Sequence, residues 1–314
     1  MQNALMAAGV NAEVLAPVIV PPQSRRRAVF KLAKGEIGFH AARSHTIVDM
    51  HECLVLTPGV FGLVQQLRTR LGFLKEPAEL HITESLTGFD LAVRSPQKLN
   101  SGITTQMAEA LAGLNVARAV FNNALVLETT MPEVEEGGVR VKLPPHAFLQ
   151  PTSEGEAALQ TRVRAIAGKA KTVVDLFAGV GTFALTLAAK ARVHAVEQDA
   201  PALAALAAAA KAPNLKPVTT EVRDLFKLPL TPGELAIFDA AVLDPPRAGA
   251  EAQARMLAKS RVPAIAYVSC DSTSFARDAA LLIAGGYRIG PVTPIDQFLW
   301  SSHIELVAGF VRGR

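Results

Sequence analysis

Two hydrophobic periods divide the chain near residue 143. Before that point apolar and polar residues alternate in short stretches, "RRRAVFKLAKGEIGFH", "HTIVDMHE", "ELHITESLTGFDLAVR" and "NNALVLETTMPEVEEGGVRVKLP". A period of two belongs to half-buried strands, and Lys34-Gly35 and Gly137-Gly138 are turn signals between them. Residues 1–143 are therefore expected to form an α+β domain with an antiparallel sheet and one or two helices. Residues 144–314 read differently, with continuous apolar runs followed by helical stretches: "TVVDLF" then "TFALTLAAKA", "RVHAVE" then "APALAALAAAAKA", "AAVLDPP" then "AEAQARMLAKS", "PAIAYVS" then "STSFARDAALLIAGG". Such alternation predicts an α/β domain with a doubly wound, mostly parallel, Rossmann-like sheet.

Composition narrows the classes. Of 314 residues half are hydrophobic and 19% are charged, yet no apolar run is long enough to cross a bilayer, so a soluble chain without a membrane partner is expected. The N-terminus lacks the basic flank and cleavage site of a secretory signal. Two distant cysteines give no disulfide framework, which makes the cytoplasm the expected compartment and a monomer the expected state. A net charge of +4 is compatible with a nucleic-acid partner without requiring one.

Chemistry concentrates at predicted strand ends, where open α/β sheets bind ligands. In "VVDLFAGVGTFALTLA", Gly179 and Gly181 follow a strand and precede a helix, so a ligand can lie against bare backbone there. Glu197 ends the next strand, where a carboxylate can accept ribose hydroxyls, and Asp224 follows the third. Those features suit NAD as well as S-adenosylmethionine. Asp175 stands four residues before the first glycine, and Ala184 takes the last place of the dinucleotide pattern, which leans toward a methyl donor. In "AVLDPPRAGA" two prolines after Asp244 make a rigid bend that turns the acid into the cleft. Cys270, in "YVSCDSTSFARD", sits where an apolar strand stops and a helix begins.

"DLFAGVGTF", "LDPPRAGA", "YVSCDSTSFARD" and "DQFLWSSHIE" occur in the order and approximate spacing of the S-adenosylmethionine-dependent RNA uracil-C5 methyltransferases, which make 5-methyluridine in 23S ribosomal and transfer RNA. "RRRAVFKL", "GFHAARSHTIVDMHECLVLTP" and "HAFLQPT" resemble the same family, so that the resemblance covers essentially the whole chain. It implies a class I methyltransferase fold behind an RNA-binding domain, with Cys270 as nucleophile and Glu305 as base. It further implies that Gln150, Phe177, Thr182, Glu197, Asp224 and Asp244 line the cofactor and target-base pocket. Departures lie at Asp271-Ser272, where the family has Asn-Pro, at Leu299 in place of Pro, and at Thr152 in place of Asn. Cys53 holds the place of the last ligand of the iron-sulfur cluster found in several relatives, while the other three are missing. No cluster is expected on one thiolate, and truncation of a longer chain is the favoured reading.

The pairing of cysteine and carboxylate also makes chemical sense by itself. A thiolate added to C6 of uracil puts electron density on C5, and a base must later remove the C5 proton. His303, two residues from Glu305 on a strand-like stretch, is read as a structural histidine. Arg25, Arg26 and Arg27, followed by Lys31, Lys34 and Arg43, form a basic segment fit for phosphates. Phe148 and Phe298 are candidates to stack on the extruded base. The expected function is thus methylation of uridine C5, in 23S ribosomal RNA ahead of transfer RNA; a methyltransferase of non-RNA substrates and a catalytically idle RNA-binding descendant are the rivals.

Overall fold

Apolar runs buried on both faces make the largest of the three described sheets. The computed structural model describes residues 1–41 and 43–313. Its eight strands lie in the order Val18–Ile19, Tyr287–Asp296, Glu305–Arg312, Ala264–Ser269, Ala240–Leu243, Thr172–Leu176, Arg192–Glu197 and Val218–Val222. All neighbouring pairs are parallel except the two made by Glu305–Arg312, which runs antiparallel to both of its neighbours. Strand order reverses at Thr172–Leu176, whose sequence neighbour Arg192–Glu197 lies on one side and Ala240–Leu243 on the other, and such a switch point opens a crevice at the strand ends. Val174, Leu176, Ala241 and Leu243 enter one apolar cluster and Val173, Ala240, Val242 and Val268 the other. Burial on both faces is why these strands read as unbroken apolar runs.

The chain falls into two compact units: Met1–Val20 with Glu135–Val141 and Glu154–Arg314, and Pro21–Val134 with Lys142–Ser153. A single cut at residue 143 therefore does not describe the division. Helix Gln2–Ala7 and strand Val18–Ile19 belong with the large sheet, where Val18 pairs with Ile295. A two-residue strand and a six-residue helix carry too little period to announce that membership.

In the other unit seven strands run in the order Ile47–Asp49, Glu36–His40, Arg27–Ala33, Ala78–Ser85, Gly88–Arg94, Val116–Phe121 and Ala124–Glu128. The pairs are antiparallel, as expected, except that Gly88–Arg94 and Val116–Phe121 are parallel, with helix Ser101–Leu111 between them in sequence. Phe30, Leu32, Leu80, Ile82, Leu91 and Val93 pack in one cluster with Val60 and Leu63 of helix Pro58–Arg70 and Ile103 and Met107 of helix Ser101–Leu111. The alternate residues Arg27, Lys31, Glu79, His81, Asp90 and Arg94 share the opposite face by register. Lys34 and Gly35 form the two-residue hairpin turn, both with positive φ, as the turn signal predicts.

One buried polar knot fixes the loop after the Asp244 strand. Asp278 is fully buried and accepts hydrogen bonds from the Tyr267 hydroxyl at 2.6 Å, the Ala250 amide at 2.7 Å and Arg277 Nε at 2.8 Å. Gly249, at φ +79°, lies so close that a Cβ would meet the Asp278 carboxyl at 2.7 Å. Asp278→Ala strands three donors and is expected to lower stability by about 3 kcal/mol. Urea unfolding of the variant beside the parent checks this; a loss below about 1 kcal/mol would show that water replaces the carboxylate and that the knot does not hold the loop.

Candidate active site

Sheet register alone gathers the reacting groups. Leu176 pairs with Leu243, Leu243 with Tyr267, and Ser269 with Leu306. Phe177, Asp244 and Cys270 follow the ends of their strands, while Glu305 opens the antiparallel one, so all four stand along one edge of the sheet. Cys270 is half-buried. Glu305 is only 4% exposed, and Gln297, itself 2% exposed, donates from Nε2 to Glu305 Oε2 at 3.3 Å.

Burial, reinforced by like charges, sets the electrostatics of this edge. Burial, then the negative charge of Asp244, pushes the Glu305 carboxyl up to about 8. Burial, then Glu305 and Asp244, pushes the Cys270 thiol up to about 11, with Arg247 opposing. Beneath the glycine turn Asp175 is fully buried, and neither of its oxygens has a hydrogen-bond partner among the described residues. Burial and the charges of Asp244 and Glu197 raise it well above the usual carboxylate range, and the Ala184 amide offsets only part of this.

The glycine turn is tied to the neighbouring strand end. The amides of Phe177 and Ala178 both donate to the Val196 carbonyl, at 3.0 and 3.1 Å, and Gly179 donates to Glu197 Oε2 at 3.0 Å. Gln198 and Asp199 donate to Glu197 Oε1 at 2.7 and 2.9 Å, so backbone amides hold this carboxylate in place. Gly179 is needed for its backbone, at φ +54°, since a Cβ there would point into open space. Gly181 is needed for packing as well: at φ +106° its Cβ would press on Leu206 at 2.9 Å and on Leu185 at 3.1 Å. Phe177 adopts φ +65°, and its ring lies 5.4 Å from that of Phe226, which is 41% exposed. Asp224 caps the turn that carries Phe226 by accepting from the Phe226 amide at 3.0 Å, and its hydrogen-bonded ion pair with Lys227 holds its carboxyl below the usual range.

Two residues near this edge escaped sequence reasoning. Thr182 donates to Glu136 Oε1 at 3.4 Å, and Gln160 donates to Glu136 Oε2 at 3.1 Å and to the Thr182 carbonyl at 3.2 Å. Glu136 is fully buried although "VEEGG" reads as a surface hairpin. Gln297 was likewise hidden, because nothing local marks a glutamine that will meet a buried acid eight residues on. The departure at Asp271-Ser272 has a structural account: Asp271 Oδ1 accepts from the amides of Thr273 and Ser274, each at 2.9 Å, and caps helix Ser272–Ala284. His303 does not lie on the strand, which begins at Glu305; it is exposed in the preceding loop with its ring 6.2 Å from that of half-buried Phe298.

Gln150 and the arginine run belong to the other unit. Gln150 is 3% exposed, and its carbonyl accepts from Arg26 Nε at 3.3 Å, while Arg26 Nη1 donates to Ser153 Oγ at 3.1 Å. Arg25 Nε donates to the Arg27 carbonyl at 3.0 Å, and the Arg27 guanidinium stacks 4.9 Å over the ring of Phe148, which is 61% exposed. Burial lowers the pKa of both Arg25 and Arg27. The run is thus woven into its own fold rather than held out as a solvated comb. On the polar face of the sheet a cavity of about 730 Å³ is lined by Lys31, His40, His45, Glu79 and Arg94. Lys31 pairs with Glu79, whereas Arg94 makes no hydrogen bond or ion pair among the described residues. Cys53 packs against the apolar cluster of this unit. No described helix is long and apolar enough to cross a membrane.

Comparison with known proteins agrees with this arrangement. The tRNA (uracil-5-)-methyltransferase family signature matches residues 115–311. An RNA methyltransferase of Brucella suis is 45% identical over 99% of this chain and 77% of its own length. The 23S rRNA (uracil(1939)-C(5))-methyltransferase RlmD of Halomonas elongata is 33% identical over 86% of this chain and 60% of its own. Among solved structures, the tRNA (uracil-54, C5)-methyltransferase of Pyrococcus abyssi, in complex with S-adenosyl-L-homocysteine, superposes with a TM-score of 0.77 over 99% of this chain and 81% of that one. At 21% identity that likeness is one of fold, the class I methyltransferase fold. The chain belongs to the tRNA (uracil-5-)-methyltransferase family, S-adenosylmethionine-dependent enzymes that methylate RNA uracil at C5.

Proposed function

We propose that this enzyme methylates C5 of a uridine in 23S ribosomal RNA through a covalent adduct between Cys270 and C6 of the base. The observation that carries the reading is the register that sets a half-buried thiol beside a buried carboxyl at one sheet edge. S-adenosylmethionine, when bound, supplies a methyl group on a positively charged sulfur. The residues present fit it: the open face of Gly179 admits a ligand, Phe177 and Phe226 offer rings to its base, and Glu197 offers fixed oxygens to its ribose. Thr182, Gly181 and Asp224 complete the proposed donor-binding set within this unit, and the negative surroundings of Asp244 suit a cation. The 23S assignment follows the name of the Halomonas relative.

The chain's own residues divide the chemistry. The Cys270 thiolate forms a bond to C6, which moves the ring electrons toward C5 and makes that carbon the nucleophile for the methyl group. Glu305, oriented by Gln297, then takes the C5 proton, the C5–C6 double bond reforms and the C6–S bond breaks to return the thiolate. Asp244 faces the base edge, Phe298 stacks on it, and Arg25, Arg26 and Arg27 with Phe148, Lys31 and Arg94 contact the RNA strand.

Each mutant should stop the cycle at its own end. With labelled donor and unmodified bacterial RNA, the parent should yield 5-methyluridine in 23S RNA; the label in transfer RNA instead reassigns the substrate. Cys270→Ala should form neither product nor adduct while still binding donor. Glu305→Gln should accumulate a denaturation-resistant complex with the mass of enzyme plus methylated RNA, and normal turnover by that variant would remove Glu305 from the role of base.

The same two groups set the pH dependence. Glu305 acts as a base only when ionised and Cys270 attacks only as thiolate, so the rate is expected to climb as pH rises through about 8. In the folded protein the Glu305 carboxyl lies above its ordinary 4.5, so the free enzyme loses stability as pH rises from 4.5 to about 8. Glu305→Gln escapes that loss. Denaturant unfolding on either side of this window should show the variant gaining on the parent as pH rises, and a gap independent of pH would show that the carboxyl is not buried as described.

A further inference from the structure

The loop that leads into Glu305 carries the chain's single tryptophan, Trp300, 71% exposed. Its geometry is unusual. The Ser301 amide donates to the Phe298 carbonyl at 3.0 Å, which closes a four-residue turn with Leu299 and Trp300 at its centre. Trp300 takes the third position at φ +59°. A positive φ at that position belongs to glycine or asparagine, and for a bulky side chain it is strained. The sequence thus places its largest side chain where the backbone favours the smallest, and leaves it in solvent. The base of the loop, by contrast, is fixed: Gln297 and Glu305 are joined by their 3.3 Å hydrogen bond, both buried. Strain of this kind persists where a site needs the geometry.

We propose that Trp300 is a nucleobase-stacking residue that binds an RNA base adjoining the methylated uridine, which deepens, and rests on, the uridine-methylating reading of Cys270 and Glu305. An indole offers a broad face to any base, and exposed aromatics are the usual platforms for unstacked nucleotides. Extruding one uridine from its stack leaves its neighbours with a bare face, and a rigid turn tied to the catalytic acid can present the indole to one of them. Leu299 stands at the turn position where the family resemblance puts proline, and Trp300 follows it at the tip.

Because the chain has one tryptophan, its emission reports on Trp300 alone. Titrating the full-length enzyme with substrate RNA should quench that emission, and S-adenosylhomocysteine alone should not. Trp300→Ala should raise KM for RNA about tenfold, with kcat at saturating RNA and donor affinity unchanged, and Trp300→Phe should recover part of the loss. Trp300→Gly should raise Tm, since it relieves the turn, yet bind RNA as weakly as the alanine variant. Unquenched emission in the presence of bound RNA, or an unaltered KM in Trp300→Ala, overturns the assignment. A parent enzyme that makes no 5-methyluridine overturns the underlying reading instead, so the two failures are told apart.

Discussion

The edge of the large sheet depends on one constraint: acidic groups and a thiol are held close together in a partly dry place. Beyond burial, Asp244 raises the cost of ionising Asp175, Cys270 and Glu305, and Glu305 does the same to Cys270, where the exposed Arg247 opposes it only in part. The strand Glu305–Arg312 is the immediate cause. Running antiparallel between two strands that point the other way, it brings its first residue to the edge where its neighbours end, so that an acid lands beside Cys270. Removal of a like charge, or arrival of a positive one, relieves all of these groups together.

Such an arrangement stands only on a rigid frame, and the frame is polar as well as apolar. The two clusters that sandwich the strands fix their spacing, but the loop after Asp244 is irregular and has no ladder of its own. Asp278 supplies the missing bonds by gathering Tyr267, Ala250 and Arg277 around one buried carboxylate. Asp271 does the same service for the residues after Cys270, taking the amides of Thr273 and Ser274 at the start of the following helix. The cysteine is therefore flanked by an ordered cap even where the chain departs from its relatives.

How much of this was legible follows from range. The parallel sheet, the glycine turn, and the strand ends bearing Glu197, Asp244 and Cys270 are local patterns, and the structure places each where its period and flanking residues put it. Cys270 and Glu305 are 35 residues apart, as their numbers in the sequence show, and only the order of motifs linked them before the register did. Glu136 and Gln297 were invisible because their burial is set by partners elsewhere in the fold, Gln160 and Thr182 for one and Glu305 for the other. The arginine run was legible as a basic segment but not in its surroundings: a cluster of charges in sequence says nothing of the carbonyls and the aromatic ring that its members will meet. The first twenty residues joined the large sheet without a periodic signal for the same reason.

Backbone strain maps the same edge by an independent route. Of the described non-glycine residues with positive φ, most are asparagine, or polar residues in turns, which tolerate that region. Phe177 and Trp300 do not belong to that class. One follows the first strand of the glycine turn and the other tops the loop that ends in Glu305, and both are aromatic. A large ring gains nothing locally from a left-handed backbone, so each conformation is held by its surroundings: Phe177 by the double bond of its own and the next amide to Val196, Trp300 by the Phe298–Ser301 turn above the Gln297–Glu305 clamp. Two strained aromatics, anchored by different elements, frame the row of groups whose charges repel. The fold thus gives up backbone ease at the same edge where it crowds acidic groups around a thiol.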